Sequence, residues 1–342
     1  MRNAFVLSAA LLFAVGADAQ TSDYTVTSIV TSSQDARLEN PWGLARPPKQ
    51  PQNNQWWAAD EISGLATLYT AYGTIIPFVV TIPPASGSGT GTPTGSASYL
   101  STPVIAFVTL DGTISTWNAA EKPSTAGTSC HKCHVSTATI AVNNAASGAS
   151  YQGLTIAKNV TSGAETFYVA NANAGVEAYD ATSFEPLMLP AGAFTDPKIP
   201  KTYTPAGIQA LGTRIFVTYN RTAGGGTGYV DAFNTNGKLL LRLQGGWFNQ
   251  PWGVVLTPAT FGSFSDVILV GNTGSGWIGA YDKTNGTFEG FLQNGGVDLK
   301  IPGVWGLGFG DGTSQAGPTH VLYFNAGGMN QTTGVFGSIA AN

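Results

Sequence analysis

Six segments of this chain begin with a Pro-x-Gly pattern or a close variant of it, and this recurrence limits the possible folds more than any other feature. Each segment continues into apolar residues, and the copies recur at roughly the 40 to 50 residue period of propeller blades. The six starts are Pro41-Trp42-Gly43-Leu44, Pro93-Thr94-Gly95, Tyr151-Gln152-Gly153-Leu154, Pro205-Ala206-Gly207-Ile208, Pro251-Trp252-Gly253-Val254 and Val304-Trp305-Gly306-Leu307. Such a repeat predicts similar small units that pack side by side.

Each start is followed by two short runs that are typical of β-strands. The second run is rich in β-branched and aromatic residues, and the third follows a glycine and alternates polar with apolar residues. The second runs are Gln55–Ala59, Ile105–Val108, Phe167–Ala170, Ile215–Thr218, Val267–Val270 and Val321–Phe324. Tight polar turns join the two runs, as a hairpin requires.

The sixth unit ends with the chain and has no fourth run of its own. The segment Tyr24–Thr31, which precedes the first unit, has the composition of a strand and would complete the sixth unit. Closing the ring in this way hides sheet edges that would otherwise be open. We therefore predict an all-β, six-bladed β-propeller over residues 20–342, one domain, in which an N-terminal strand closes the last blade. A two-sheet sandwich does not require six copies of one pattern.

Composition excludes several other classes of protein. The chain has 44 glycines and 19 prolines, and only 10% of its residues are charged, which argues against coiled coils and helical bundles. A formal charge of −4 with 15 Lys and Arg leaves no basic stripe for a phosphate backbone. Nucleic acid is therefore not an expected partner.

The first residues resemble a secretory leader. Met1-Arg2-Asn3 precedes the apolar run Ala4 to Val15, and Ala17-Asp18-Ala19 fits a signal-peptidase site. We expect residues 1–19 to be a signal peptide and the protein to be secreted and extracellular. No later apolar run reaches the roughly 20 residues that a membrane span needs.

Four Asn-x-Thr patterns fit the N-glycosylation acceptor. They begin at Asn159, Asn220, Asn285 and Asn330. In a chain this rich in Asn, Ser and Thr, about that many arise by chance, so they leave the type of source organism open.

The segment Cys130-His131-Lys132-Cys133-His134 has several interpretations. An oxidising compartment and an even cysteine count favour a Cys130–Cys133 disulfide in an insertion at about 119–138, between the second and third blades. The same residues match the C-x-x-C-H pattern of c-type haem attachment, with His134 as proximal ligand. His320, Met188 or Met329 would then supply the opposite ligand, or the site would stay open. Zinc is a weaker alternative, because five adjacent residues seldom supply four ligands.

The residue before each starting glycine is the first candidate for ligand binding. These residues are Trp42, Thr94, Gln152, Ala206, Trp252 and Trp305. If the innermost strands begin there, the side chains surround one mouth of the channel. Large π faces could then stack on a sugar ring or an aromatic ligand. Packing between blades is the alternative for such repeated positions.

A second set of polar residues follows the second run of four units. Asp60, Asn171, Asn272 and Asn325 are possible oxygen ligands for Ca²⁺ if they converge. The alternative is that each caps its own hairpin through hydrogen bonds from side chain to backbone.

Four blocks of this sequence resemble a family of secreted, uncharacterised propeller-like (NHL-like) proteins of bacteria and fungi. The blocks are Asn40–Ala45, Leu110–Asn118, Ala191–Pro197 and Gly303–Phe309. The resemblance covers nearly the whole mature chain and implies the propeller fold and secretion. That family has no assigned catalytic residues, so the resemblance implies no site.

We expect a monomeric binding protein that recognises a glycan, a cell-wall component or a partner protein at the channel mouth formed by Trp42, Gln152, Trp252 and Trp305. One alternative is a metal-dependent lactonase-like or lyase-like enzyme, although only three histidines are present. A second alternative is a c-type haem electron carrier. No cofactor is predicted, and haem c and Ca²⁺ are the alternatives. The sequence favours a binding protein over an enzyme, and it identifies no catalytic residue.

Overall fold

The computed structural model describes residues 23–48, 54–102, 104–118, 134–245 and 247–342. These residues form an all-β protein in which six small sheets are arranged as the six blades of a β-propeller. The predicted fold class is confirmed. Neighbouring strands within a blade are antiparallel, except for one parallel strand added at the outer edge of the first blade, and the first strand of each blade is the innermost one.

The strands follow the repeat that the sequence predicts. Blade 1 and the strand before it contain β1 (Tyr24–Thr31), β2 (Pro41–Ala45), β3 (Trp56–Asp60), β4 (Leu65–Tyr69) and β5 (Ile75–Thr81). Blade 2 and its inserted segment contain β6 (Pro93–Ser98), β7 (Val104–Thr109), β8 (Thr113–Asn118), β9 (His134–Thr137) and β10 (Thr139–Asn143). Blade 3 contains β11 (Tyr151–Lys158), β12 (Glu165–Asn171) and β13 (Gly175–Asp180).

The second half of the chain forms the other three blades. Blade 4 contains β14 (Tyr203–Leu211), β15 (Arg214–Arg221), β16 (Gly228–Asn234) and β17 (Leu239–Arg242). Blade 5 contains β18 (Pro251–Leu256), β19 (Ile268–Asn272), β20 (Ile278–Tyr281) and β21 (Phe288–Phe291), followed by the hairpin β22 (Gln293–Asn294) and β23 (Val297–Asp298). Blade 6 contains β24 (Val304–Phe309), β25 (Leu322–Ala326) and β26 (Val335–Ala341). Short 3-10 helices lie at Ala145–Ser147 and Gly262–Phe264.

The glycine of each Pro-x-Gly start lies where two neighbouring innermost strands approach each other most closely. A Cβ on Gly43 would lie 2.6 Å from the backbone nitrogen of Ser96 in the next blade, and a Cβ on Gly95 would lie 2.6 Å from that of Leu154. The same relation continues through all six glycines. They are Gly43, Gly95, Gly153, Gly207, Gly253 and Gly306, and we call them the glycine ring.

The glycine ring returns to its starting point. A Cβ on Gly306 of blade 6 would lie 2.8 Å from the carbonyl oxygen of Trp42 in blade 1. Distances below 3.0 Å are closer than real Cβ atoms approach backbone, so each of these positions excludes a side chain. The recurring glycine is therefore explained by backbone contact between blades.

Each innermost strand also has a β-bulge at this glycine. The pairing register between first and second strands shifts between Pro41 and Gly43 in blade 1, and equivalent shifts occur in the other five blades. A bulge redirects the side chains next to it. It therefore changes the direction of the residue between the proline and the glycine.

Strand β1 closes the last blade, as the sequence predicts. It pairs with β26 in antiparallel register from Tyr24 opposite Ala341 to Thr31 opposite Val335. The Tyr24 ring is fully buried, and its hydroxyl donates to the Phe261 carbonyl at 2.8 Å and accepts from the Phe264 amide at 3.0 Å. The N-terminal strand is thus fixed both to blade 6 and to blade 5.

The apolar core lies between neighbouring blades. At the junction of the last and first blades, Trp56 lies 5.0 Å from Tyr323 between ring centroids, and Tyr69 stacks on Phe336 at 5.7 Å. The Trp56 indole also donates to the Ala316 carbonyl at 3.1 Å. Aromatic side chains also pack at junctions between blades that are consecutive in the sequence, for example Trp57 of blade 1 against Trp117 of blade 2.

The strand order differs from our expectation of an insertion between blades 2 and 3, because β8 before residues 119–133 and β10 after them both belong to blade 2. After β8, the chain returns as β9, which adds to the outer edge of blade 1 in parallel register with β5. It then forms β10, the outermost strand of blade 2. Residues 119–133, which include Cys130 and Cys133, lie outside the described residues.

Within the described residues, no helix has the length and apolar character needed to cross a membrane. This finding concerns helices alone.

We expect Gly95→Ala to lower the free energy of unfolding by about 3 kcal/mol, because the added Cβ would overlap the backbone of Leu154. Gly271→Ala is the matched control. It also adds a methyl group in a buried strand, but the nearest atoms there are side-chain carbons at 3.4 to 3.6 Å. The control should change stability by less than about 1 kcal/mol. Equal denaturation midpoints for the two variants in urea would show that the glycine ring is not a close contact.

We also expect Tyr24→Phe to destabilise the protein by about 1 to 3 kcal/mol, since it leaves the Phe261 carbonyl and the Phe264 amide without their buried partner. Tyr72→Phe removes a hydroxyl from a side chain that is 69% exposed and should have little effect. Thermal unfolding of both variants distinguishes them. An unchanged melting temperature for Tyr24→Phe would contradict the closure described above.

Candidate functional site

The candidate site is the mouth of the axial channel on the face where the innermost strands begin, which we call the start face. Three of the six residues that precede the ring glycines meet there. Trp42 and Trp305 are stacked with ring centroids 4.0 Å apart and an angle of 15° between their planes. Trp252 meets Trp305 edge to face, at 5.9 Å and 89°. The three indoles form one cluster, which we call the tryptophan floor.

Hydrogen bonds hold two of the indoles in place. The Trp305 indole nitrogen donates to the side-chain carbonyl of Asn40 at 3.1 Å, and the Trp252 indole donates to the Gln152 backbone carbonyl at 3.1 Å. The second bond joins blade 5 to blade 3. The indole nitrogen of Trp42 is buried and has no partner.

Asn40 positions the cluster through its backbone as well as its side chain. Its φ of 45° lies in the left-handed region, which asparagine tolerates better than most residues. Its side-chain nitrogen donates to Glu61 at 3.1 Å, so the amide is fixed at both ends. Asn40 was not among the residues that the repeat pattern predicted for this site.

The three tryptophans are not equivalent, although the sequence analysis treated them alike. Trp305 is only 6% exposed and packs as core, whereas Trp42 and Trp252 are partly exposed. Gln152 is also partly exposed. Thr94 is fully buried, and its hydroxyl donates to the Tyr151 carbonyl at 2.7 Å. The surface that remains open to a ligand is therefore formed by Trp42, Trp252 and Gln152.

The space directly beneath the tryptophan floor is small. The space there has a volume of only about 10 Å³ and is bounded by side chains that include Leu44, Leu154, Trp252 and Leu307. A ligand at the start face would therefore rest on the floor.

The four predicted oxygen ligands lie at or near the start-face ends of their strands, and two of them accept hydrogen bonds from backbone amides within their own blades. Asn171 accepts from the amides of Ser150 and Asn173, at 3.1 and 3.0 Å. Asn272 accepts from the Asn249 amide at 2.9 Å. These contacts are those of turn-capping side chains.

The other two candidates differ in their partners. Asn325 donates to the Gly43 carbonyl in the next blade at 2.9 Å. Asp60 accepts from the Thr67 hydroxyl at 2.7 Å, while its second carboxyl oxygen has no partner. Complete burial raises the pKa of Asp60 well above its usual range. Among the residues that the structure describes, no three His, Cys, Asp or Glu side chains are grouped so that they could hold a metal ion.

The residues proposed for haem binding are dispersed in the fold. His134 is exposed at the start of β9, on the outer edge of blade 1, and His320 is exposed in the connection between β24 and β25. Met188 and Met329 are 99% and 87% exposed, in blades 3 and 6. Because Cys130 and Cys133 lie outside the described residues, both the disulfide and the haem attachment stay predictions.

The four glycosylation candidates differ in accessibility. Asn285 and Asn330 are exposed, whereas Asn159 and Asn220 are half-buried. The side-chain nitrogen of Asn159 also donates to Asn236 at 3.1 Å. Asn285 and Asn330 are thus the more accessible acceptors.

No family model matches the chain. It is 28% identical over 332 residues to the uncharacterized protein L690 of Acanthamoeba polyphaga mimivirus, an alignment that covers 91% of this chain and 83% of that protein. It is also 28% identical over 292 residues to the uncharacterized protein R648 of the same virus, covering 80% and 69% of the two chains.

A third relative from this virus, the uncharacterized protein R640, is 30% identical over 229 residues. That alignment covers 62% of this chain and 39% of that protein, so the chain spans well under half of that relative's length. The three relatives have no described function. The resemblance to a secreted bacterial and fungal family therefore stays a prediction.

A buried acidic pair in blade 4 was not expected from the sequence. Asp231 on β16 is 2% exposed, and it lies beside Asp196, which forms an ion pair with Arg242 on β17. Burial and the negative charge of Asp196 raise the pKa of Asp231 to about 7, although the positive charge of Arg242 opposes the rise. The chain separation between residues 196 and 231 explains why spacing alone did not reveal the pair.

We expect the stability of the protein to fall as pH rises from about 4 to about 7, because the folded state keeps a proton on Asp231 that the unfolded state has lost. Asp231→Asn is neutral throughout this range, so its stability should depend less on pH than that of the parent protein. Glu185→Gln, at an exposed position, is the control. Urea unfolding at a series of pH values provides the measurement, and parallel curves for Asp231→Asn and the parent would contradict this assignment.

Proposed function

We propose that this protein is a binding protein that recognises an extracellular glycan, and that a sugar ring at the start face stacks on one of the two indoles of Trp42 and Trp252 and contacts the other from the side. The β-propeller fold supports a binding or interaction role in general. The observation that carries the proposal is the pair of partly exposed indoles held by packing and hydrogen bonding at the mouth of the channel.

The chemistry of this surface suits a sugar ring. An indole presents a flat apolar face, which matches the C–H face of a pyranose. Gln152 and Glu61 are partly exposed beside it and carry amide and carboxylate groups that can bond to hydroxyls. Sites of this kind combine an apolar base with a few well-placed polar groups.

The rigidity of the tryptophan floor favours binding. Trp42 is stacked on Trp305, which is bonded to Asn40, and Trp252 is bonded across the channel to Gln152. Because these side chains are already ordered, ligand binding would cost little of their conformational entropy.

Secretion belongs to the same proposal. The leader-like residues 1–19 would place the protein outside the cell, where glycans and cell-wall polymers are the polymers available to it. Two of the glycosylation acceptors, Asn285 and Asn330, are exposed and compatible with an extracellular location.

The test begins with an array of oligosaccharides from chitin, cellulose, β-glucan and peptidoglycan, followed by calorimetric titration of any ligand found. We expect Trp42→Ala and Trp252→Ala each to weaken binding at least about tenfold, a loss of about 1.4 kcal/mol or more. Trp247→Ala is the matched control, since Trp247 is 51% exposed but outside the channel. Circular dichroism and thermal unfolding check that each variant is folded.

Two further outcomes bear on this proposal. Trp252→Phe should weaken binding less than Trp252→Ala, because it keeps an aromatic face and loses the bond to Gln152. A loss of binding in Trp247→Ala with none in Trp42→Ala or Trp252→Ala would overturn the assignment to the start face, and so would the absence of any glycan ligand on the array.

A further inference from the structure

A second cavity opens on the opposite side of the propeller, where the innermost strands end. It has a volume of about 270 Å³, and we call it the end-face cavity. Innermost strands of all six blades contribute apolar residues to its wall, among them Leu44, Ala97, Leu154, Leu211, Val255 and Leu307. The narrow space beneath the tryptophan floor separates it from the start face.

Apolar side chains alternate with polar groups in this wall, and polar atoms form most of the surface that faces the cavity. Among the described residues that line it, Arg46 is the only charged one. Gln209 also lines it, and the only hydrogen bond of its amide is a long one to the Ala210 carbonyl, at 3.4 Å. Ser96 is nine-tenths buried in the wall, and its hydroxyl has no partner. A concave site with a few unused hydrogen-bonding groups has the general character of a small-molecule site.

Two of the unused groups are donors. The Arg46 side chain is 23% exposed, and its Nε is covered and has no partner. The Gln209 amide nitrogen provides two N–H groups. A ligand oxygen that accepts a hydrogen bond would pair with these donors, and the Ser96 hydroxyl can accept as well as donate.

The charge of Arg46 is already compensated. Its Nη1 lies 2.7 Å from a carboxylate oxygen of Asp311, and its guanidinium lies over the Trp56 ring at 5.6 Å. An anionic ligand would bring a second negative charge close to Asp311 in a partly desolvated site, where like charges repel strongly. The electrostatics thus favour an uncharged ligand.

The volume limits the size of the ligand. A cavity of about 150 Å³ holds one benzene molecule. By the same measure, the end-face cavity would hold a molecule with on the order of ten non-hydrogen atoms.

We propose that the end-face cavity binds a compact, uncharged molecule with a carbonyl oxygen that accepts a hydrogen bond from Arg46 or Gln209. This site is distinct from the glycan site at the start face, and the two should bind independently.

Three probes of nearly equal size test the chemistry of this cavity. They are acetophenone, which is uncharged and has a carbonyl, benzoate, which is an anion, and ethylbenzene, which has no oxygen. Dissociation constants come from ligand-observed NMR titration of the full chain. We expect acetophenone to bind at least about tenfold more tightly than either of the others, a difference of about 1.4 kcal/mol. Tighter binding of benzoate, or no detectable binding of acetophenone at millimolar concentration, would overturn the proposal.

A matched pair of variants locates the binding. Ser98 and Leu256 are the last residues of β6 and β18, and Ser98 lines the end-face cavity whereas Leu256 lines a separate cavity between blades 4 and 5. Ser98→Trp should block acetophenone, and Leu256→Trp should leave its dissociation constant unchanged. Equal effects of the two variants would contradict the assignment.

A third variant tests the hydrogen bond. Gln209→Leu removes the amide while keeping a side chain of similar size, so it should reduce the preference for acetophenone over ethylbenzene. Arg46→Met with Asp311→Asn removes the other donor together with its counter-charge. If the preference is unchanged in both of these folded variants, the carbonyl is not recognised as proposed.

Discussion

The structure depends on the close approach of neighbouring innermost strands at the glycine ring. At each of six positions, a Cβ would overlap backbone or Cβ atoms of the next blade, and the relation closes from Gly306 back to blade 1. The six glycines thus set how closely the blades converge on the axis. The adjacent β-bulges redirect the preceding side chains. The geometry of the start face follows from this backbone contact.

One consequence is that the channel has two dissimilar ends. At the start face, large side chains next to the glycines fill the axis, with Trp42 stacked on Trp305. At the opposite end, smaller residues such as Ala97 and Ser98 leave the end-face cavity open. A ring with one repeated backbone contact can therefore present two different surfaces, because the side chains before and after the glycine vary freely between blades.

The fold could be predicted from the sequence because its main determinant is local and repeated. The Pro-x-Gly starts and the runs that follow them marked the innermost and second strands of all six blades, and Tyr24–Thr31 was identified as the closing strand. The location of β9 could not be predicted in this way. It pairs in parallel with β5 across more than 50 residues, and no turn sequence encodes such a contact.

The site was predictable only in part. Repetition located Trp42, Trp252 and Trp305, but their different exposure depends on contacts such as the bond from Trp305 to Asn40, which joins residues 265 positions apart. The pairs Arg46 with Asp311 and Asp231 with Asp196 are likewise distant in sequence. Spacing reveals groups that share one element. Closure of the ring brings together Trp305 with Asn40 and Arg46 with Asp311, whereas Asp196 reaches Asp231 from the segment that precedes blade 4.

Hydrogen–deuterium exchange of the backbone amides in β1, followed by mass spectrometry, tests the closed ring most directly. If β1 is the outer strand of blade 6, its amides that bond to β26 should exchange many orders of magnitude more slowly than those of an unpaired chain. Exchange of the whole segment Tyr24–Thr31 within seconds, while β24 and β25 stay protected, would show that the ring is not closed by this strand.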